Sequence, residues 1–320
     1  METKIGTDID QAAHLLKKGE CVAVPTETVY GLAANGLDEA AIRKIFEAKE
    51  RPMSNPLILH FRNEAAIEQF VLDFPAPLKK IAAQFWPGPL TILLPKSDQV
   101  PFVITAGNER VGVRVPSHPI LQELLFQLEF PLAAPSANSY GQISPTRSEH
   151  VFKQLKGKIP FILEGGWCTS GVESTIVGME AEKVVIYRLG AIPNEALEES
   201  LGYLPEIKNH TDALPVTSGM VAHHYAPNTP LSYCDSPEKT NGNSSNSGYI
   251  FFQNYSNSIP RENQFILSEK GDLREAAVKL YDALHTMDER KFDHLFVEKM
   301  IEKELGRTIN DRLNRATKKK

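Results

Sequence analysis

The chain's 320 residues, 42% hydrophobic and 23% charged, have the make-up of an ordinary globular protein with room for one large core and a smaller second domain. A formal charge of −5 argues against a bulk nucleic-acid binder, although a local basic groove would not show in the total. Cys21, Cys168 and Cys234 are too few and too scattered for a cysteine zinc cluster and fit a reducing compartment. With no signal pattern and no apolar run of membrane-spanning length, a cytoplasmic protein without a membrane partner is expected.

In chain order, helical periodicity runs over 8–18, 39–49, 76–85, 117–128 and 147–155. Strand patterns fall at 21–24, 57–61, 90–94, 111–115, 131–134, 160–163, 174–178 and 183–188. The interleaving predicts an α/β body whose sheet is partly parallel and covered by helices, with some antiparallel neighbours. Periodicity disappears from Gly202 to Pro230, a proline-bearing connector, and Asp235 to Gly248 reads as a mobile Ser/Asn/Gly-rich loop. Strands near 249–252, 264–267 and 294–297 and helices near 272–286 and 307–316 predict a small α/β tail. No P-loop, GxGxxG or HExxH occurs, so side chains must do most of any phosphate binding.

Two loops share one template. Pro25-Thr26-Glu27-Thr28-Val29-Tyr30-Gly31 and Pro135-Ser136-Ala137-Asn138-Ser139-Tyr140-Gly141 each follow an apolar run read as a buried strand, and strand ends are where α/β proteins hold ligands. Between them, Lys49 continues the buried stripe of Ile42, Ile45 and Phe46. It is either a last-turn cation that complements the helix dipole and snorkels to water or, with Arg51 turned beside it by Pro52, part of an anion site. Arg114, in a strand otherwise built for burial, needs an anionic partner, which is a protein carboxylate or a ligand. His60 is by default a satisfied core histidine. Arg312, Arg315 and Lys318-Lys319-Lys320 form a basic end that reads as a solvated tail, the alternative being a weak contact with tRNA.

Seven motifs in one order, Pro25 to Leu32, Lys49-x-Arg51-Pro52, Trp86 to Thr91, Val113 to Pro116, Ala134 to Asn138, Ser174 to Val177 and Arg188-Leu189-Gly190, resemble the YrdC-like family. The connector Thr217 to Pro227 and the tail resemble its two-domain form, the threonylcarbamoyl-AMP synthases. Ser218 replaces a proline, and Val221 and Ala222 replace a Lys-Tyr pair usual there. The resemblance implies a YrdC-like twisted mixed sheet flanked by helices over 1–204, a linker or lid over 205–230 and a small Rossmann-like α/β domain over 231–320.

It also implies a nucleotidyltransferase that joins L-threonine, bicarbonate or CO2, and ATP into threonylcarbamoyl-AMP and pyrophosphate. The product would be handed to the tRNA threonylcarbamoyl transferase machinery for t6A at adenosine 37. Carried over by motif, threonine contacts fall on Thr28, His60, Arg114, Ser174 and the backbone at Ala134. ATP contacts fall on Lys49, Arg51, Asn55, Arg110, Ser136, Asn138, Ser144 and Arg188, with Lys49 and Arg51 neutralising the triphosphate in a catalytic role. His224 and Tyr225 of the lid would lie near the phosphates. Mg2+ is expected on phosphate oxygens and water, with Glu27 and Glu173 as spare ligands and no protein metal site. The rivals are a carbamoyl-adenylate module of hydrogenase maturation, whose cysteine-rich zinc segments are missing here, and a non-catalytic RNA binder.

Overall fold

A computed structural model describes residues 1–208, 225–235 and 246–318. The first sheet is built from β1 (Lys4–Gly6), β2 (Val22–Val24), β3 (Gly31–Asn35), β4 (Ile58–His60), β5 (Leu90–Pro95), β6 (Arg110–Arg114), β7 (Leu132–Ala133), β8 (Phe161–Leu163), β9 (Thr175–Glu180), β10 (Lys183–Arg188) and β11 (Glu206–Ile207). Its helices are α1 (Ile9–Lys17), α2 (Glu39–Lys49), α3 (Ala76–Phe85), α4 (Phe102–Thr105), α5 (Pro119–Phe126), α6 (Ser148–Leu155) and α7 (Asn194–Leu201). The strand order is β1-β8-β2-β3-β7-β4-β6-β5-β9-β10-β11, with parallel and antiparallel neighbours mixed as the connection lengths predict.

The tail forms a second sheet, all parallel, from β12 (Leu231–Cys234), β13 (Ser247–Phe251), β14 (Gln264–Ile266) and β15 (His294–Glu298), with α8 (Leu273–Glu289) and α9 (Leu305–Ala316). Both helices pack on the Leu231, Ile250, Leu295 and Val297 face, and their apolar cluster continues into Val29, Ile143 and Val172 of the first unit. The two units thus share a core. No helix among the described residues is long and apolar enough to cross a membrane.

Helix α2 shows how locally this is written. Asp38 caps it by accepting from the Ala40 and Ala41 amides, and Ile42, Ile45 and Phe46 bury its stripe. Glu50 then turns left-handed at φ 56°, so the chain leaves the helix before Arg51-Pro52.

Six elements were not expected from the sequence, and a seventh, β13, begins earlier than expected. β3 is rich in glycine and alanine, which carry weak strand preference, and β1, α4 and β11 are too short for periodicity to register. α7 had signals in Pro193 before it and Gly202, at φ 79°, after it. β12 occupies 231–234, and β13 takes Ser247 and Gly248 from the expected loop. Residues 236–245 of that loop and 209–224 of the connector lie outside the described residues.

Candidate active site

Alternation on short central strands decides where the site lies. Leu59 of β4 and Val111 and Val113 of β6 enter the core, while Ile58 and His60 turn to the other face opposite Gly112 and Arg114. Gly112 keeps that face low, because a Cβ there would come within 3.3 Å of Ile58 and Thr91. Above it lies a cavity lined by Thr28, Val29, Arg51, Ile58, His60, Arg114, Ala134, Pro135, Ser136, Glu173, Ser174, Arg188 and Tyr225. His60, Arg114 and Arg188 end their strands and Thr28 and Ala134 to Ser136 follow theirs, so the cavity lining comes from strand ends, over the sheet face. Strands this short let the loops that follow β2 and β7 fold over it.

All five threonine positions implied by the resemblance, Thr28, His60, Arg114, Ala134 and Ser174, line this cavity. Arg114 is 4% exposed and donates from Nη1 to Thr28 Oγ1 at 3.0 Å, from Nη2 to Glu27 Oε1 at 2.6 Å and from Nε to the Gly88 carbonyl at 3.3 Å. Its protein carboxylate is thus Glu27, and the guanidinium still borders the cavity. Burial, helped by the charge of Arg114, pushes His60 down to about 3, so the ring is a neutral hydrogen-bonding group at ordinary pH. The Ser174 and Thr91 hydroxyls lie 2.7 Å apart, and Arg188 Nη2 donates to Ser174 Oγ at 2.9 Å.

Of the ATP positions, Arg51, Ser136 and Arg188 line the cavity, and Lys49, Asn55, Arg110, Asn138 and Ser144 do not. Lys49 is 1% exposed, so it does not snorkel; its Nζ donates to the Ser136 and Asn138 carbonyls, each at 2.5 Å. Burial and the neighbouring Arg51 hold this amine well below the usual lysine range. Arg51 donates to the Asn55 and Pro56 carbonyls, and burial lowers Arg51 and Arg188 to about 10, which leaves both charged at neutral pH. Asn55 is buried with neither side-chain amide atom bonded, and Asn138 Nδ2 braces its own loop through the Ser139 and Gln142 carbonyls. Arg110 is half-buried on the Tyr187 ring and donates to its hydroxyl at 2.8 Å.

Ser144 donates to Glu173 Oε1 at 2.7 Å, and Tyr281 of α8 reaches both carboxylate oxygens of Glu173, at 3.0 and 2.9 Å. Arg312 of α9 adds Nε to Oε2 at 2.8 Å. Burial would raise the Glu173 carboxyl, but the charges of Arg312 and Arg188 and these hydrogen bonds outweigh it and bring the group to about 2. Arg312 and Arg315, 1% and 2% exposed, are therefore not a solvated tail and are closed to tRNA. The spacing of Asp311 and Arg315, one helical turn apart, was the only local signal of that network.

Tyr225 is buried, with its ring stacked at 5.6 Å on Tyr281, and the next residue, Ala226, donates to the Gly141 carbonyl at 3.1 Å. The connector's described end thus lies against the second Pro-led loop; His224, Val221 and Ala222 lie outside the described residues. The donor set does not fit a protein-held Mg2+. One Glu27 oxygen is held by Arg114 and both Glu173 oxygens are engaged, which leaves at most one oxygen of these two carboxylates for a metal, and no metal-binding group of three or more His, Cys, Asp or Glu occurs among the described residues.

Residues 14–190 match the Sua5–YciO–YrdC family, described as telomere recombination, and residues 192–317 match the threonylcarbamoyl-AMP synthase C-terminal domain. The chain is 38% identical to the threonylcarbamoyl-AMP synthase of Pyrococcus abyssi over 317 residues, covering 96% of this chain and 93% of that one. It is also 38% identical to that of Bacillus subtilis over 327 residues, covering 96% and 92%. The crystal structure of P. abyssi Sua5 complexed with L-threonine superposes with a TM-score of 0.89 at 36% identity, covering 99% of this chain and 97% of that one.

Proposed function

The chain belongs to the Sua5–YciO–YrdC family in its two-domain, threonylcarbamoyl-AMP synthase form, and from that premise we propose that it condenses L-threonine, bicarbonate or CO2, and ATP. The products are threonylcarbamoyl-AMP and pyrophosphate, and the first serves t6A synthesis at adenosine 37 of tRNA through a separate transferase. The observation that carries this reading is the gathering of Thr28, His60, Arg114, Ala134 and Ser174 in one cavity that also presents Arg51 and Arg188.

The threonine ammonium releases two protons to solvent as its nitrogen bonds to the CO2 carbon, which gives the carbamate. A carbamate oxygen then attacks the α-phosphorus, and the bond from that phosphorus to the β-phosphate oxygen breaks. Little covalent work is left to the protein, so positioning and charge carry the rate. Arg114 clamps the threonine carboxylate, and Thr28 and Ser174 supply hydroxyls beside it. Three guanidiniums and one carboxylate among the lining residues give a wall suited to a polyphosphate. Lys49 acts by fixing the Ser136 and Asn138 carbonyls, and through them the loop that borders the nucleotide. Mg2+ would arrive with the nucleotide, held by phosphate oxygens and water.

In this reading residues 1–204 form the catalytic unit and 231–320 the second unit, with Tyr225, at the described end of the connector, as its contact to the cavity. The match of 192–317 to the synthase C-terminal domain favours this reading over a hydrogenase-maturation module. Pyrophosphate release with ATP and bicarbonate, measured across the twenty amino acids, tests it. Release that requires threonine supports the assignment; release with several amino acids alike, or none with threonine, sinks it.

A further inference from the structure

Arg312 reaches three separate segments of the chain from the last turns of α9. Its Nε donates to Glu173, its Nη2 donates to the Leu189 carbonyl at 2.7 Å, and its guanidinium carbon lies 5.1 Å from the centre of the Tyr225 ring. Its Nη1 donates to Asp311 Oδ2 at 2.5 Å, and Asp311 also pairs with Arg315. Two carboxylates and two guanidiniums therefore balance in a buried quartet. Glu173 and Tyr225, which Arg312 touches, are themselves walls of the cavity.

Interface stability alone is a poor account of this arrangement. Buried ion pairs gain little over well-packed apolar groups, and α8 and α9 already have an apolar seam with Val29, Ile143 and Val172. The position of Glu173 is more informative. It is an ionised carboxylate in the wall of a cavity suited to a polyphosphate, where an unbalanced anion would repel the ligand.

We propose that Arg312 is a positioning residue for the nucleotide: supplied by the C-terminal unit, it masks the charge of Glu173 and keeps Arg188 turned to the cavity. This rests on the reading that the cavity binds ATP. Without Arg312, Arg188 becomes the cation nearest Glu173 in the cavity wall, is drawn to it, and loses its geometry on Ser174. The C-terminal unit thereby sets the electrostatic sign of a site built by the other unit, through one side chain.

The test is calorimetric titration of the full chain with ATP and Mg2+, with AMP and L-threonine as comparison ligands. Arg312→Met should weaken ATP about ten-fold or more, AMP less, and threonine least, since repulsion scales with ligand charge. Arg312→Met combined with Glu173→Gln should return to within about threefold of the wild type, because the unbalanced anion is gone. Glu173→Gln alone should bind ATP more tightly, with Arg312 left uncompensated. Unchanged ATP binding in Arg312→Met, equal weakening of all three ligands, or no recovery in the double variant overturns the proposal. If Arg312→Met does not fold, Glu173→Gln decides: ATP binding equal to or weaker than the wild type overturns it. A wild-type chain that fails to bind ATP overturns the nucleotide reading as well, a result distinct from any behaviour of the variants.

Discussion

Arg114 Nη2 sits 2.6 Å from Glu27 Oε1, while the other oxygen of that carboxylate has no hydrogen-bond partner. The pair is buried and Arg114 borders the cavity, so the threonine carboxylate proposed above would meet a guanidinium already paired with Glu27. Arg114→Ala should cost about 1.5–3 kcal/mol of threonine binding, roughly 10–150-fold in the threonine KM, with a smaller effect on kcat. It should also lower stability by about 3–5 kcal/mol, because Glu27 is left buried and unpaired. Steady-state kinetics well below the unfolding temperature separate the two, and a folded variant with an unchanged threonine KM would remove Arg114 from the site.

Serine differs from threonine by one methyl, and the cavity offers Val29 and Ile58 as apolar surface for it. The expected discrimination is about 1–3 kcal/mol, or about 10–200-fold in kcat/KM, so serine should be a poor substrate and not an excluded one. Pyrophosphate release with each amino acid gives the ratio. Equal kcat/KM values would mean that the side chain is not read here.

Lys49 tests a different link. Its amine ties two carbonyls of the second Pro-led loop, and each carbonyl left unpaired in a buried place costs about 1–3 kcal/mol. Lys49→Ala should therefore depress kcat through a loosened loop and leave the threonine KM close to that of the wild type. A variant altered in threonine KM alone would contradict this.

Much of the site was legible because each motif carries its chemistry locally: a hydroxyl loop after a strand, a cation before Pro52, an arginine alternating with valines. What was not legible was assembled over distance. Arg312 and Arg315 stand next to a run of lysines and look like a basic end; only the approach of Glu173, 139 positions away, turns Arg312 into a buried partner. Lys49 was visible as a buried cation, yet whether it would meet phosphate or carbonyl oxygen depended on where 136–138 folded. The missed elements fail for a simpler reason. β11 has two residues and β3 is mostly Gly and Ala, so neither shows a period or a propensity.

The rings of His150 and His285 stack with centres 3.9 Å apart, joining α6 to α8 with Arg147, Lys153 and Asp282 facing them. Burial lowers both imidazoles, and His285 falls from 6.5 to about 3 with a further push from His150. A histidine with a depressed folded pKa binds protons more readily when unfolded. Its contribution is full above about pH 6.5 and is lost as pH falls toward the folded value. Melting temperature should therefore decline between about pH 6.5 and 4.5, and His285→Gln should flatten that slope. An identical slope in the variant would assign the acid sensitivity elsewhere.

Tyr225 is 1% exposed in a left-handed backbone conformation at φ 68°, held between the Tyr281 ring and the Arg312 guanidinium. Such a conformation is costly for a residue with a large side chain and persists only where the surroundings fix it. Here they fix an aromatic ring in the wall of the cavity, where it can keep water from a carbamate that loses CO2 readily and from a mixed anhydride that hydrolyses. Tyr225→Ala should therefore uncouple the reaction. Pyrophosphate release should persist, but intact threonylcarbamoyl-AMP recovered per pyrophosphate should fall by about ten-fold, while Tyr225→Phe, which keeps the ring, should stay within about threefold of the wild type. Chromatographic recovery of the intermediate beside a pyrophosphate assay gives the ratio directly. If Tyr225→Ala lowers both products together, the ring serves binding or folding, and water exclusion is not its role.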